Sequence, residues 1–305
     1  MLTELVIVSG KGGTGKTSLT ASLALLAKDP VLADCDVDAA DLHLLLEPEV
    51  RETHRFYAGH EAVIRKKDCI GCGACLAHCR FGAVRMHGKQ AGEAIFSIDP
   101  IACEGCGVCV RFCPEQAIDF PEALCGEWMI SNTRVGPMVH ARLGVAAENS
   151  GKLVSTVRQE ARHQAEITGR SLVLVDGPPG IGCPVIASVT GATAVLIVTE
   201  PTVSGVHDLE RTLALTRHFR IPTLVCVNKW DLNPGKTRHI EESARKLGAL
   251  IAGRIGYDPG VTHAQMRALS PVETDTLAAA DVHTLWNTVV SQLTTLSPTE
   301  GYAHT

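Results

Sequence analysis

Six short apolar runs punctuate the chain, and four of them give way to a polar or acidic residue. Leu5-Val6-Ile7-Val8 meets Ser9, Val31-Leu32-Ala33 meets Asp34, Leu172-Val173-Leu174-Val175 meets Asp176, and Leu224-Val225-Cys226-Val227 meets Asn228. Ala194 to Thr199 and Leu250 to Ile255 are the other two. Runs this short and this continuously apolar predict strands buried on both faces. Longer mixed segments lie between them: Ser18 to Lys28, about Lys152 to Thr168 with Ser150 placed to cap it, and an amphipathic stretch from about Ala279 to Leu296. These predict helices. Strands alternating with helices specify an α/β class, a doubly wound, mostly parallel sheet whose ligands bind at the carboxyl ends of the strands.

The alternation breaks near His60. Eight of the twelve cysteines fall between Cys69 and Cys113, as Cys69-x₂-Cys72-x₂-Cys75-x₃-Cys79 and then Cys103-x₂-Cys106-x₂-Cys109-x₃-Cys113-Pro114. This is an internal repeat with the spacing of a two-cluster ferredoxin, in which the fourth cysteine of each run serves the other cluster. One [4Fe-4S] cluster would take Cys69, Cys72, Cys75 and Cys113; the second would take Cys103, Cys106, Cys109 and Cys79. Paired zinc sites fit the triple x₂ pattern poorly. Cys79 is followed by Arg80 where proline is usual, which alters the loop without removing a ligand. His78 reads as a solvated side chain. Ala83 to Pro100, with Ile95-Phe96-Ser97-Ile98, reads as a hairpin. The expected organisation is a small α+β, bacterial-ferredoxin-like domain over 60–120, inserted in a larger domain formed by 1–59 and 121–305.

Composition narrows the class. At 305 residues, with 45% apolar and 20% charged residues, the chain has the make-up of a globular protein with a sizeable core. A net charge of −5 with mixed signs gives no reason to expect nucleic acid or an anionic membrane as partner. Glu4 stands where a signal peptide would be basic, and Pro178, Pro179 and Pro184 break the uncharged stretch Gly177 to Thr199, so neither a leader nor a membrane span is expected. Without a leader, twelve cysteines point to metal ligation in a reducing cytoplasm rather than to disulfides.

The first apolar run leads into Ser9-Gly10-Lys11-Gly12-Gly13-Thr14-Gly15-Lys16-Thr17 and then Ser18. Strand, glycine-rich loop and helix together make a phosphate cradle: amides and the helix N-terminus face the anion, Lys16 reaches the terminal phosphates, and Thr17 holds Mg²⁺. The acids Asp34, Asp36, Asp38 and Asp41 follow the second run; buried carboxylates need a cation nearby, and Asp41 reads as a helix cap.

Gly-Lys-Gly-Gly-Thr-Gly-Lys-Thr resembles the deviant Walker A loop of the MinD, ParA, Mrp and nitrogenase iron protein superfamily of P-loop ATPases. The resemblance spans nearly the whole chain and implies a homodimer closed by two ATP molecules, with Lys11 acting on the partner's nucleotide. It makes Asp34 to Leu42 switch I, with Asp34 near the metal and Asp36 placing the attacking water. It makes Asp176 the Walker B acid and Gly177-Pro178-Pro179-Gly180 a switch II loop. Gly10, Gly12, Gly13, Thr14, Gly15, Lys16, Thr17 and Ser18 become the nucleotide-binding set. Asn228-Lys229-Trp230-Asp231 is similar to a guanine-reading motif, but beside the Lys11 loop Asn228 takes the adenine-reading position. Cys183 reads as a plain switch-loop cysteine. The final helix carries no lysine or arginine and so differs from the membrane anchor of MinD. The expected function is an ATPase, ATP to ADP and phosphate, that couples dimer switching to electron transfer or cluster handling with an unidentified acceptor protein. The alternative is a MinD/ParA-like positioning or regulatory ATPase whose clusters sense redox state.

Overall fold

The computed structural model describes residues 2–90, 93–144 and 149–296. In chain order the elements are β1 (Thr3–Ser9), α1 (Lys16–Leu26), β2 (Val31–Asp34), α2 (Leu42–Leu46), β3 (Glu49–His60), β4 (Val63–Ile64), α3 (Ala74–His78), β5 (Val84–Gln90), β6 (Glu93–Ile98), α4 (Val108–Arg111), β7 (Ile118–Asp119), β8 (Glu122–Thr133) and β9 (Gly136–Leu143). They continue as α5 (Ser150–Thr168), β10 (Leu172–Pro179), α6 (Cys183–Val189), β11 (Ala194–Thr199), α7 (Val203–His218), β12 (Thr223–Asn228), α8 (Pro234–Lys246), β13 (Leu250–Ile255), α9 (Pro259–Gln265) and α10 (Leu277–Leu296).

The chain divides into two compact units. The first comprises 1–54, 128–142 and 150–305. Its sheet runs β13-β12-β11-β1-β10-β2-β9 and continues through β8 and β3. From β13 to β9 every neighbouring pair is parallel. Leu5 and Ile7 of β1, Leu174 of β10, Leu196 of β11 and Leu224 of β12 share one core with Leu19 and Leu23 of α1 and Val282, Leu285 and Val289 of α10. The alternate residues Val6, Val8, Val173, Val175 and Ile197 are just as fully buried. Helices α5, α6 and α7 pack on these same strands. Burial on both faces is why the strands carry no apolar/polar alternation. Glu4, buried in β1, is held by Arg158 of α5 through two 2.8 Å hydrogen bonds, with Arg162 beside it. A carboxylate at that depth is tolerable only when so paired.

The second unit comprises 55–127 and 143–149 and contains the whole cysteine repeat. It begins and ends outside the 60–120 expected from composition. The difference lies in β3 and β8, twelve-residue strands that the apolar pattern did not reveal. Within the unit, β4 pairs with β7 and β5 with β6, both antiparallel. The β5–β6 pair is the hairpin expected between Ala83 and Pro100. A small core of Ala62, Cys75, Val84, Phe96 and Ile118 gathers most of the repeat's cysteines around it.

Asp41 occupies the N-cap position of α2, but its side chain makes no capping bond. Ser150 is the first residue of α5 rather than its cap. Among the described residues no helix is long and apolar enough to cross a membrane.

Candidate nucleotide site and cysteine hollows

β1 ends at Ser9, whose hydroxyl donates to the Lys11 carbonyl at 2.8 Å and starts the turn. Gly15 takes a φ of +86° at the head of α1, and a Cβ there would meet Asn228 Nδ2 at 2.5 Å, so only glycine fits. Cβ atoms built on Gly12 and Gly13 would meet nothing within 4 Å. The loop thus leaves an open cradle on one side. Thr14 Oγ1 is buried there without a partner among the described residues, a cost that an incoming phosphate oxygen would relieve. Ser9, Gly12, Gly13, Thr14, Gly15, Lys16, Thr17, Ser18, Asp36 and Asn228 line a single cavity of about 590 Å³, within the usual size of a small-molecule site. Ile255, Tyr257, Val261 and Val282 add apolar side chains to its lining. Gly10 and Lys11 lie outside that lining.

Lys16 is buried, with its Nζ 2.9 Å from Asp176 Oδ1 and 3.5 Å from Asp36 Oδ2. Burial works against its charge, but Asp176 and Asp36 outweigh it and raise its pKa. Asp176 also accepts from Thr17 Oγ1 and Thr20 Oγ1, both at 2.8 Å. Asp34 accepts from the backbone amides of Asp36 at 3.2 Å and Leu42 at 3.3 Å. Complete burial, then the charge of Asp176 beside it, pushes the Asp34 carboxyl well above the usual range. Burial likewise raises Asp36. Three carboxylates therefore face one ammonium. Asp176 and the Thr17 hydroxyl beside it are oxygen donors of the kind a divalent cation takes.

Lys11 does not point into the cradle. Its Nζ lies 2.5 Å from Glu200 Oε1, with Ser204 Oγ at 3.2 Å and Thr202 Oγ1 at 3.4 Å. Glu200 also holds Lys229 Nζ at 3.3 Å. Partial burial would raise the Glu200 carboxyl, yet the two lysines hold it below its usual value. Asn228 donates from Nδ2 to the Thr14 carbonyl at 2.8 Å and accepts the Lys229 amide at 2.9 Å, so it braces the loop while lining the cavity. Asp231 accepts the Tyr257 amide at 2.7 Å.

Residues 5–272 match the family described as the CobQ/CobB/MinD/ParA nucleotide binding domain. The chain belongs to this family. A relative from Methanocaldococcus jannaschii, "Uncharacterized protein MJ0578", is 35% identical over 265 residues, 84% of this chain and 90% of its own. The septum site-determining protein MinD of Bacillus subtilis is 22% identical over 291 residues, 91% of this chain and 86% of its own. Among solved structures, MinD of Pyrococcus horikoshii, complexed with Mg-ADP, superposes with a TM-score of 0.56 at 15% identity, covering 98% of this chain and all of that one. As a CobQ/CobB/MinD/ParA member, the chain has a fold in which the Gly10–Thr17 loop stands at the carboxyl end of β1.

The second unit holds a different chemistry. Cys69, Cys72, Cys75 and Cys113 line one hollow, walled by Ile64, Phe96 and Ile118. Cys79, Cys103, Cys106 and Cys109 line another, walled by Ala62, Val84 and Ile98. The fold thus brings Cys113 to the first run and Cys79 to the second. The Ala117 amide donates to Cys113 Sγ at 3.3 Å. Burial would raise the Cys79 thiol, but backbone amides of Val84, Phe81, Ala83 and Gly82 outweigh it and favour the thiolate. Among the described residues no three His, Cys, Asp or Glu side chains converge on a single metal ion. Four cysteines around one hollow are the donor set of a four-iron cube, which is larger than one ion. Of the remaining cysteines, Cys35, Cys125 and Cys226 are buried and Cys183 is exposed at the start of α6.

Thr20 and Glu200 escaped sequence reading. Thr20 lies in an unremarkable apolar helix, one turn after Lys16. Glu200 carried a weak signal, an acid directly after a buried strand.

Proposed function

We propose that this chain is an ATP-hydrolysing molecular switch of the MinD/ParA kind. The observation that carries the reading is the open Gly10–Thr17 cradle with Lys16, Asp34, Asp36 and Asp176 gathered at its edge. Lys16 and the loop amides bind the phosphates, Thr17 and Asp176 hold Mg²⁺ with Asp34 behind them, and Asp36 orients the attacking water. Mg²⁺ when bound neutralises charge developing on the transferred phosphoryl group. Lys11 completes the site across a homodimer, and Asn228 supports the adenine end of the cavity. Sedimentation and phosphate release with MgATP test this reading. Wild type should dimerise and turn over, Lys16→Ala should do neither, and Lys11→Ala should bind ATP without turnover. A Lys11→Ala protein with full turnover would end the trans role.

A second reading is favoured by the two four-thiol hollows. In it the switch is joined to two [4Fe-4S] clusters that pass electrons to an acceptor protein. Cys69, Cys72, Cys75 and Cys113 hold one cluster, and Cys79, Cys103, Cys106 and Cys109 the other. The amides at Cys79 and Cys113 help set the potential. Anaerobic purification with iron and sulfide analysis should give about eight irons per chain, two cubes of four. A shift of the cluster potential on adding ATP, absent in Lys16→Ala, would support coupling. Full iron with no ATP response leaves the regulatory ATPase with redox-sensing clusters.

A further inference from the structure

Helices α3 and α4 pack together; α3 ends beside Cys79, and α4 ends at Arg111, with Phe112 between it and Cys113. At their ends His78 and Phe112 stack, with ring centroids 4.2 Å apart and planes 22° from parallel. His78 is exposed, and Phe112 keeps 51% of its surface in solvent. Next in the chain, the Arg80 guanidinium lies 5.7 Å from the ring centre of Phe81, itself 42% exposed. Arg111 precedes Phe112 and is also exposed. Among the described residues neither Arg80 nor Arg111 forms an ion pair, and no acid occurs in Leu76–Gly82 or Val110–Cys113. A chain of net charge −5 thus presents two uncompensated guanidinium groups around three exposed rings.

Exposed aromatics rimmed by arginine are the composition of a protein interface, and unpaired charge at the rim acts mainly on encounter rate and partner choice. The position adds the chemistry. Cys79 stands between His78 and Arg80, and Cys113 directly follows Phe112, so this patch flanks the crossing member of each thiol set, both of them part-exposed. We propose that the His78–Phe112 stack, with Arg80, Phe81 and Arg111, is the docking surface for an acidic one-electron carrier protein. The proposal rests on the second reading above, that the thiol sets hold [4Fe-4S] clusters. One electron leaves the reduced carrier, which is oxidised by one unit, and one cluster gains it; no bond or proton moves. Contact areas for such transient redox encounters lie at the small end of the interface range.

The test uses the full chain purified without oxygen, with an acidic bacterial ferredoxin as probe. Binding is measured by calorimetry at 0.05 and 0.3 M salt, and cluster reduction by stopped flow. Wild type should bind the ferredoxin, and more weakly at the higher salt. Arg80→Glu/Arg111→Glu should weaken binding at low salt at least tenfold and flatten the salt dependence, with iron content unchanged. Arg80→Lys/Arg111→Lys should retain most of the affinity, and Phe112→Ala should lose affinity at both salt concentrations. Equal affinity in all four proteins, with iron present, overturns the docking surface alone. Wild type without iron and sulfide overturns the cluster reading and the docking surface with it. Binding of a single-stranded oligonucleotide that needs Arg80 and Arg111, with no ferredoxin binding, would assign the patch to nucleic acid instead.

Discussion

Lys11 Nζ and Glu200 Oε1 sit 2.5 Å apart within one chain, so the lysine that the proposed dimer needs across its interface is held at home. Ser204 and Thr202 add their hydroxyls to the same ammonium. Releasing it has a cost, and that cost opposes assembly. Glu200→Gln should lower the ATP concentration for half-maximal dimer about fivefold, the equivalent of a part-exposed ion pair worth about 1 kcal/mol. Analytical ultracentrifugation across an ATP series measures it; an unshifted midpoint would show that the contact does not restrain Lys11.

Lys16 and Asp176 form a buried pair at 2.9 Å, and removing one partner strands the other. Lys16→Ala should lose nucleotide binding and about 3–5 kcal/mol of stability. Lys16→Ala/Asp176→Asn should regain part of that stability without regaining binding. Denaturant unfolding and titration with a fluorescent ATP analogue separate the two effects. Additive losses in the double variant would mean the two side chains are not coupled.

Two glycines in one loop should behave in opposite ways. A Cβ on Gly10 would come 2.2 Å from Asp208 Cβ, whereas one on Gly12 meets nothing within 4 Å. Gly10→Ala should cost about 1–3 kcal/mol through overpacking. Gly12→Ala should leave stability nearly unchanged while narrowing the cradle and weakening nucleotide binding. Thermal melts without nucleotide distinguish them, and equal melting temperatures would contradict the packing described.

His140 of β9 is buried, its Nε2 2.7 Å from Ser131 Oγ. Burial foremost, then the nearby His43, depresses its pKa from 6.5 to about 4. The unfolded chain therefore takes up a proton between those values and the folded one does not. Stability is full above pH 6.5 and falls as pH drops towards 4, by about 2 kcal/mol between pH 7 and pH 5. His140→Asn should flatten this part of the urea midpoint–pH curve. An unchanged slope would place the dependence on other groups.

The elements read correctly from the chain were those whose pattern follows from local chemistry. β1, β10, β11 and β12 are buried on both faces, so each carries an unbroken apolar run. By contrast, Glu49–His60 keeps most of its side chains in solvent and Glu122–Thr133 is only partly buried. Such strands are held by backbone hydrogen bonds, which any residue but proline can make, and no side-chain pattern announces them. The second unit, 55–127 with 143–149, takes in part of each of these strands.

Spacing along the chain by itself determined the glycine-rich loop, the acids that follow the strands and the repeat of eight cysteines, because neighbours in sequence are neighbours in space. Tertiary structure alone decided which distant groups share a charge. Thr20 reaches Asp176 across 156 positions, Lys11 finds Glu200 rather than the cradle, and Cys113 joins the hollow of Cys69. Those pairings depend on how the sheet and the small core bring remote segments together, and burial then makes each contact obligatory, since a charge taken from water must find its partner.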